Sequence, residues 1–283
     1  MADEQATAAE IEEYRAFVGR SMSETDTVGA HVAAMMAATI DRPHSGGDLA
    51  AMGHYGLFLT SMPTGQLGPD GHARRGEFMP PVRLPRRMFA GSDIKFPRPL
   101  KIGQHVTRTS RIASVDHRRG KTGDLVFVGV SIALSQADTV CLEETQTIVY
   151  RGAGTPTPPV APAPRVALAP GEKSQDWLPS SVELFRYSAF IFNAHRIHYD
   201  FPYVTQQEGY PGLIVTGPLT ATRLCHFAAD IAGRPVARFR FRGEAPLFVD
   251  QPIRLVGRID GAECAVRAER ADGVTGMSAT AHF

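Results

Sequence analysis

The chain has 283 residues, with 30 basic against 29 acidic side chains and a formal net charge of +1. Apolar residues make up 43% of it, enough for a sizeable core and too many for a disordered chain. This even charge balance excludes recognition of nucleic acid or a membrane surface through bulk electrostatics, so any anion it binds must be met by a local cluster.

In chain order, the opening stretch MADEQATAAEIEEYR is acidic and lacks the basic end and apolar run of a secretory signal. No segment reaches the roughly 18 apolar residues of a membrane span. Cys141, Cys225 and Cys264 have neither pair nor metal spacing, and each reads as a small buried hydrophobe in a reducing, cytoplasmic compartment. Helical stretches are expected at 28–40 and 49–59, with His54 and Phe58 of the second as core residues. Strands are expected at 92–97, 106–115, 125–134 and 140–150, and 113–125 reads as a basic, solvated hairpin tip. Residues 152–170, GAGTPTPPVAPAPRVALAP, hold six prolines and form a semi-rigid linker or strap. The organisation is then 1–151, a linker at 152–171, and 172–283.

The two halves repeat each other. With an offset of 147, Pro99-Leu100 falls on Pro246-Leu247, Gln104 on Gln251, and Arg111-Ile112 on Arg258-Ile259. In the second half, 181–191 reads as a strand or strand-to-turn segment, followed by the polar block FNAHRIHYD at 192–200 and a Gly/Pro-punctuated loop. Pro218 opens a helix with an apolar stripe at Leu219, Leu224, Ala228 and Ile231, ended by Gly233 and Pro235. Strands follow at 238–242, 252–259, 262–268 and 276–283. A helix followed by antiparallel strands, occurring twice, points to an α+β double hot-dog: two antiparallel sheets, each wrapping a central helix, fused in one chain.

The block at 192–200 is the densest titratable group. His195 and His198 are three apart, so on one helical turn both imidazoles reach one pocket, flanked by Asn193 and Asp200. Histidine titrates near neutral pH, which suits moving a proton between water and a substrate carbon. Chance neighbours in a polar loop are the competing reading. The pair lacks a third strong ligand at standard spacing, so neither metal nor cofactor is expected.

The stretch FRYSAFIFNAHRIHYDFPYVTQQEGYPGLIVTGPL resembles the hydratase motif of MaoC-like (R)-specific enoyl-thioester hydratases. It is most similar to the double hot-dog branch of 3-methylfumaryl-CoA (mesaconyl-CoA) and itaconyl-CoA hydratases and the mitochondrial 3-hydroxyacyl-thioester dehydratase type 2. The likeness is fuller over the C-terminal half and extends to MFAGSDIKFPRPLKIGQHVTRTSRI at 88–112.

The resemblance implies a hydro-lyase acting on an acyl-CoA, with a short branched dicarboxylic acyl group of mesaconyl, itaconyl or 3-methylfumaryl type. It matches His198 to the catalytic histidine, puts Asn193 where the family has its aspartate and His195 where it has asparagine, and sets Thr216-Gly217 before the central helix. An amide cannot accept a proton as a carboxylate does, so the usual two-residue scheme does not transfer. Instead, His198 is expected to take the proton from water held by Asn193, and the Gly217 N–H to meet the enolate charge. His195 or Asp200 would orient His198 or share the proton traffic.

Arg87 is a candidate cation for a free carboxylate on the substrate. Arg238, Arg240 and Arg242 share one face of a strand, where Arg240 is a candidate for the CoA phosphates; a solvated sheet face is the competing reading. Tyr187 reads as a packing residue. The N-terminal half, which has no second His-x-x-His block, would be catalytically degenerate and supply the acyl tunnel. Pairing into a homodimer stays open. The rival functions are a 3-hydroxyacyl-ACP or -CoA dehydratase of fatty-acid metabolism, a hot-dog thioesterase, and a non-catalytic acyl-CoA binder.

Overall fold

A computed structural model describes residues 6–44, 46–120, 123–154 and 156–283. Residues 1–5 of the acidic opening stretch, 121–122 at the hairpin tip and 155 in the proline-rich stretch lie outside it, as does residue 45. The N-terminal half carries α1 (Ala8–Arg15), β1 (Ser21–Thr27), α2 (Ala30–Thr39), β2 (Arg86–Lys95), β3 (His105–Gly120), β4 (Gly123–Gln136) and β5 (Thr139–Arg151). The C-terminal half carries β6 (Lys173–Trp177), α3 (Ser181–Phe190), α4 (Phe201–Gln206), α5 (Gly217–Ala232), β7 (Arg238–Gly243), β8 (Ile253–Asp260), β9 (Glu263–Glu269) and β10 (Thr275–His282).

The strands form one antiparallel sheet in the order β1-β3-β4-β5-β2-β7-β10-β9-β8-β6. Read outward from the centre, both halves run in the same sequence of equivalent strands, so the sheet has an internal pseudo-two-fold between β2 and β7. The register fixes the axis. Asp93 of β2 pairs with Arg240 of β7, and these positions are separated by the same 147 residues as the sequence repeat. The helices repeat too, because adding 151 to Ala30 and Thr39 gives Ser181 and Phe190, the bounds of α3.

Alternation explains the strands. In β7, Phe239 and Phe241 are buried on the face that meets α5, while Arg240 and Arg242 point outward and are exposed. Leu219, Leu224 and Ala228 of α5 lie in a core shared by both halves, with Met36 of α2, Leu184 of α3 and Ile94 of β2. A second core lies under α1, where Ile11 and Tyr14 meet Val126, Val128 and Tyr150. The three cysteines are free and buried. His54 is buried and Phe58 packs partly buried against the main core. Among the described residues no helix is long and apolar enough to cross a membrane.

Three features differ from the sequence-based expectation. The halves share one continuous sheet because β2 and β7 pair edge to edge. The segment 181–191 is helical: Ser180 caps it by accepting the Glu183 N–H at 3.2 Å. The stretch at 49–59 forms only a single 3-10 turn, Gly53–Gly56, since Met52 (φ 70°) and Phe58 (φ 52°) adopt left-handed backbone that interrupts a helix. Among the described residues the N-terminal half therefore has no counterpart of α5; a long connection with two 3-10 turns, Gly53–Gly56 and Thr64–Gln66, leads from α2 to β2.

Candidate active site

The polar block is launched by the end of α3. Phe192 takes a left-handed φ of 49°, its N–H donates to Ala189 O at 3.2 Å, and the Asn193 N–H donates to Ser188 O at 2.8 Å. This closure turns the chain, and Asn193 Oδ1 then accepts the His195 N–H at 3.1 Å. A 3-10 turn over Arg196–His198 follows. In such a turn residues three apart eclipse, which sets the His195 and His198 rings edge to face with centroids 5.4 Å apart.

His198 is buried, and its Nδ1 donates to Ile214 O at 2.7 Å. That bond assigns the proton to Nδ1 and leaves the Nε2 lone pair as a base. The Ile214 N–H in turn donates to Ile197 O at 3.0 Å. Two residues on, Thr216 caps α5 by accepting the Leu219 N–H at 3.3 Å, with Gly217 at the first helical position. His198 is thus tied to the segment that feeds the positive end of the central helix. Asp200 is occupied elsewhere: it caps α4 through the Tyr203 N–H at 3.0 Å and pairs with Arg196 at 2.8 Å. The group that orients His198 is the Ile214 carbonyl.

The N-terminal half delivers residues that sequence reasoning missed. In the loop around 67–73, Asp70 Oδ1 accepts the His72 N–H at 3.0 Å and Oδ2 accepts the His72 Nδ1–H at 2.9 Å. The Arg196 N–H donates to Asp70 O at 2.9 Å, binding this loop to the polar block. Gly71 makes the approach possible. Its φ is +88°, and a Cβ there would lie 1.8 Å from Ala194 O. The result places the His72 ring against His195, centroids 4.0 Å apart, so three imidazoles stand in a row. The only local signal was Asp-Gly-His in a basic stretch, GPDGHARR, with nothing to link it to residue 195.

Arg75 holds backbone, donating to Leu84 O at 2.6 Å and Pro85 O at 2.9 Å. Arg87, opposite Tyr150 in the β2–β5 register, is half-buried, bears on the Tyr150 hydroxyl and has no carboxylate partner among the described residues. Its charge bears on both His72 and His195. Arg240 lies on the sheet face opposite α5 and does not join this cluster; its neighbour Arg238 donates to Asp93 at 2.7 Å. The exposed face thus has its own carboxylate partner.

Burial dominates the titration. It pushes His198 down to about 4, opposed by the bond to Ile214. Burial pushes His195 down to about 2, helped by the neighbouring His72 and His198. Burial also lowers His72, against the raising effect of Asp70, with Arg87 adding to the fall. Burial would raise Asp70, but its bonds to His72 more than offset this and hold the carboxyl below the usual range. His195 and His198 are therefore neutral at pH 7. Donor atoms of Asp70, His72 and His195 come within 4.8 Å of one another, a spacing that could hold a cation. The nearby Arg87 opposes a cation and favours an anion.

In the N-terminal half a cavity of about 130 Å³ is lined by His54, Tyr55, Phe58, Arg108, Glu144 and Ile191, the last two residues before Asn193. Glu144 at its wall is buried and accepts the Ser92 hydroxyl at 2.7 Å and the Tyr55 hydroxyl at 3.0 Å.

Comparison with known proteins extends this picture. The family model for hydroxyacyl-thioester dehydratase type 2 matches residues 53–249, which takes in the His72 loop, Arg87 and the whole polar block. A relative from Chloroflexus aurantiacus, mesaconyl-C(4)-CoA hydratase, is 42% identical over 274 residues, covering 95% of this chain and 97% of its own. A MaoC-like dehydratase structure from Phytophthora capsici superposes with a TM-score of 0.71 at 13% identity, covering 96% of this chain and 97% of its own. A Mycobacterium tuberculosis protein described as a double hot-dog superposes with a TM-score of 0.58 at 13% identity, covering 94% and 96%. The paired halves, the imidazole at the head of the central helix and the matched span agree: this chain belongs to the hydroxyacyl-thioester dehydratase type 2 family and is a hydro-lyase of acyl thioesters with a double hot-dog fold.

Proposed function

We propose that the chain adds water reversibly across the conjugated double bond of a short, branched enoyl-CoA that carries a free carboxylate, of mesaconyl type. The observation that carries the substrate class is Arg87, a half-buried guanidinium with no carboxylate partner among the described residues, beside the imidazole row. Charged side chains are rarely left unpaired when desolvated. The 42%-identical relative named for mesaconyl-C(4)-CoA supports the same class.

In a mesaconyl-C4 thioester the free carboxylate and a methyl group both sit on the β-carbon that water attacks. The carboxylate repels an approaching hydroxide-like oxygen, and an adjacent guanidinium offsets that repulsion. His198 Nε2 takes a proton from the water as its oxygen bonds to the β-carbon. Asn193 orients that water, using the amide N–H₂ and the Oδ1 lone pair left over from the His195 bond. The displaced electron pair moves to the thioester oxygen, where the Gly217 N–H at the head of α5 meets it, with Thr216 holding that helix end. His195 keeps His198 in place by ring contact.

The test is an absorbance assay for loss of the enoyl-thioester chromophore with mesaconyl-, itaconyl- and crotonyl-CoA, with a thiol reagent in parallel. Chromophore loss without free thiol, fastest for the branched dicarboxylic substrates, is expected. Thiol release identifies a thioesterase, and preference for long acyl chains or an acyl carrier protein identifies a fatty-acid dehydratase.

A further inference from the structure

We propose that Asp70 and His72, carried by the N-terminal half, form the second acid–base group of the site and handle the proton at the substrate's α-carbon. The proposal rests on the hydratase reading above. Hydration has two proton events, one at the attacking water and one at the α-carbon. His198 serves the first, and an amide at Asn193 cannot serve the second.

Among the groups near His198, the Asp70–His72 pair has the architecture for this work. The 2.9 Å bond to Asp70 Oδ2 fixes the His72 proton on Nδ1 and leaves Nε2 open for a transferred proton. The carboxylate behind it stabilises an imidazolium, the arrangement by which an acid partner strengthens an imidazole base. His195 lacks such a carboxylate and lies between two other imidazoles. The His72 loop is also held firmly, through the Arg196 N–H on Asp70 O and the close seat of Gly71 on Ala194.

The step balances as follows. His198 Nε2 accepts a proton from water, the oxygen–β-carbon bond forms, and the π pair moves towards the thioester oxygen. As that pair returns, the α-carbon takes the Nε2 proton of His72 in its imidazolium form, and the C–H bond forms. Solvent then carries the proton from His198 back to His72, so the net change is addition of one water. Dehydration runs in reverse, with His72 removing the α-proton and His198 protonating the leaving hydroxyl.

The charged and titratable groups around His72 are Asp70 and Arg75 on its own loop, Arg87 on β2, and His195 and His198 of the polar block. Burial first and Arg87 second disfavour the imidazolium in the free enzyme, while the bond to Asp70 favours it. A substrate carboxylate on Arg87 removes the second of these effects and leaves the support from Asp70 in place.

The experiment measures turnover and pH profiles of wild type, His72→Ala and Asp70→Asn with mesaconyl- and crotonyl-CoA. If the wild type hydrates neither, nor any other enoyl-CoA, the hydratase reading fails first. If it does hydrate, His72→Ala is expected to lose about 100- to 10,000-fold in kcat with KM within about threefold. Added imidazole should restore at least about tenfold. Asp70→Asn should move the alkaline limb of kcat about one pH unit towards acid, because the imidazolium loses its carboxylate. A merely structural role gives neither rescue nor limb shift. His72→Ala within about threefold of wild type overturns the proposal. So does an inactive His72→Ala without imidazole rescue combined with an unmoved limb in Asp70→Asn. Turnover abolished by a chelator and restored by zinc also overturns it, since the trio would then be binding a cation.

Discussion

His72 and His195, from opposite halves of the chain, pack ring against ring with centroids 4.0 Å apart. The contact makes the site a joint product of both halves, although the hydratase-like block lies in one of them. Its geometry depends on a loop seated within bonding distance of the 194–196 backbone.

That seat makes Gly71→Ala informative. A Cβ at φ +88° is strained, and 1.8 Å from Ala194 O it must push the loop away. We expect at least about tenfold lower kcat with only about 1–3 kcal/mol lost in stability, read from steady-state kinetics and denaturant unfolding. Unchanged turnover would mean the loop is not needed where it sits.

Arg87→Gln tests recognition of the carboxylate. Removing the guanidinium should lower kcat/KM for mesaconyl-CoA by about 2–4 kcal/mol of transition-state binding, or some 30- to 1,000-fold. Crotonyl-CoA, which has no such carboxylate, should change by less than about threefold. Equal losses on both substrates would assign Arg87 a structural role.

Phe192 is exposed and sits at the left-handed position that ends α3. Glycine adopts that conformation without the Cβ penalty, so Phe192→Gly should raise stability by about 1 kcal/mol in chemical denaturation. A loss of stability would show that the ring packs in a way its exposure hides.

Acid sensitivity follows from the buried imidazoles. His198 and His226 are pushed down to about 4 by burial, and His195 lower still, from an ordinary value of 6.5. Their folded values lie below the unfolded ones, so the unfolded chain takes up protons first as pH falls. The stability linked to these groups is complete above about 6.5 and drains away between about 6.5 and 4. The melting temperature should therefore fall from pH 7 to pH 5, ahead of most carboxylate titration; a constant or rising value would contradict it.

The duplication was legible because the spacing from β2 into β3 is kept in β7 and β8, which is why Asp93 and Arg240 meet at the same 147-residue offset. The central helix was legible from Pro218 in its first turn, its apolar stripe and its Gly233 stop, which the structure shows at φ 67°. The helix α3 was misread because Val182 and Phe185 put apolar side chains on its exposed face and blurred the period; the Ser180…Glu183 cap was the usable clue. Met52 and Phe58 take left-handed backbone without being glycine, and the local clue to the break at 49–59 was the pair Gly53 and Gly56, which disfavour a helix interior. The Asp70–His72 pair was invisible for another reason: its meaning comes from a contact with the other half, which no local pattern encodes. The outward direction of Arg240 was set by which side of β7 faces α5, and alternation alone leaves that choice open.

The most direct measurement is hydration of mesaconyl-CoA by wild type and His198→Ala side by side, under single-turnover and steady-state conditions. With an imidazole tethered to Ile214 O at 2.7 Å as the base for water, the variant should fold, bind substrate, and turn over about 100- to 10,000-fold more slowly. Wild-type rates in the variant, on this substrate and on crotonyl-CoA, would contradict the assignment.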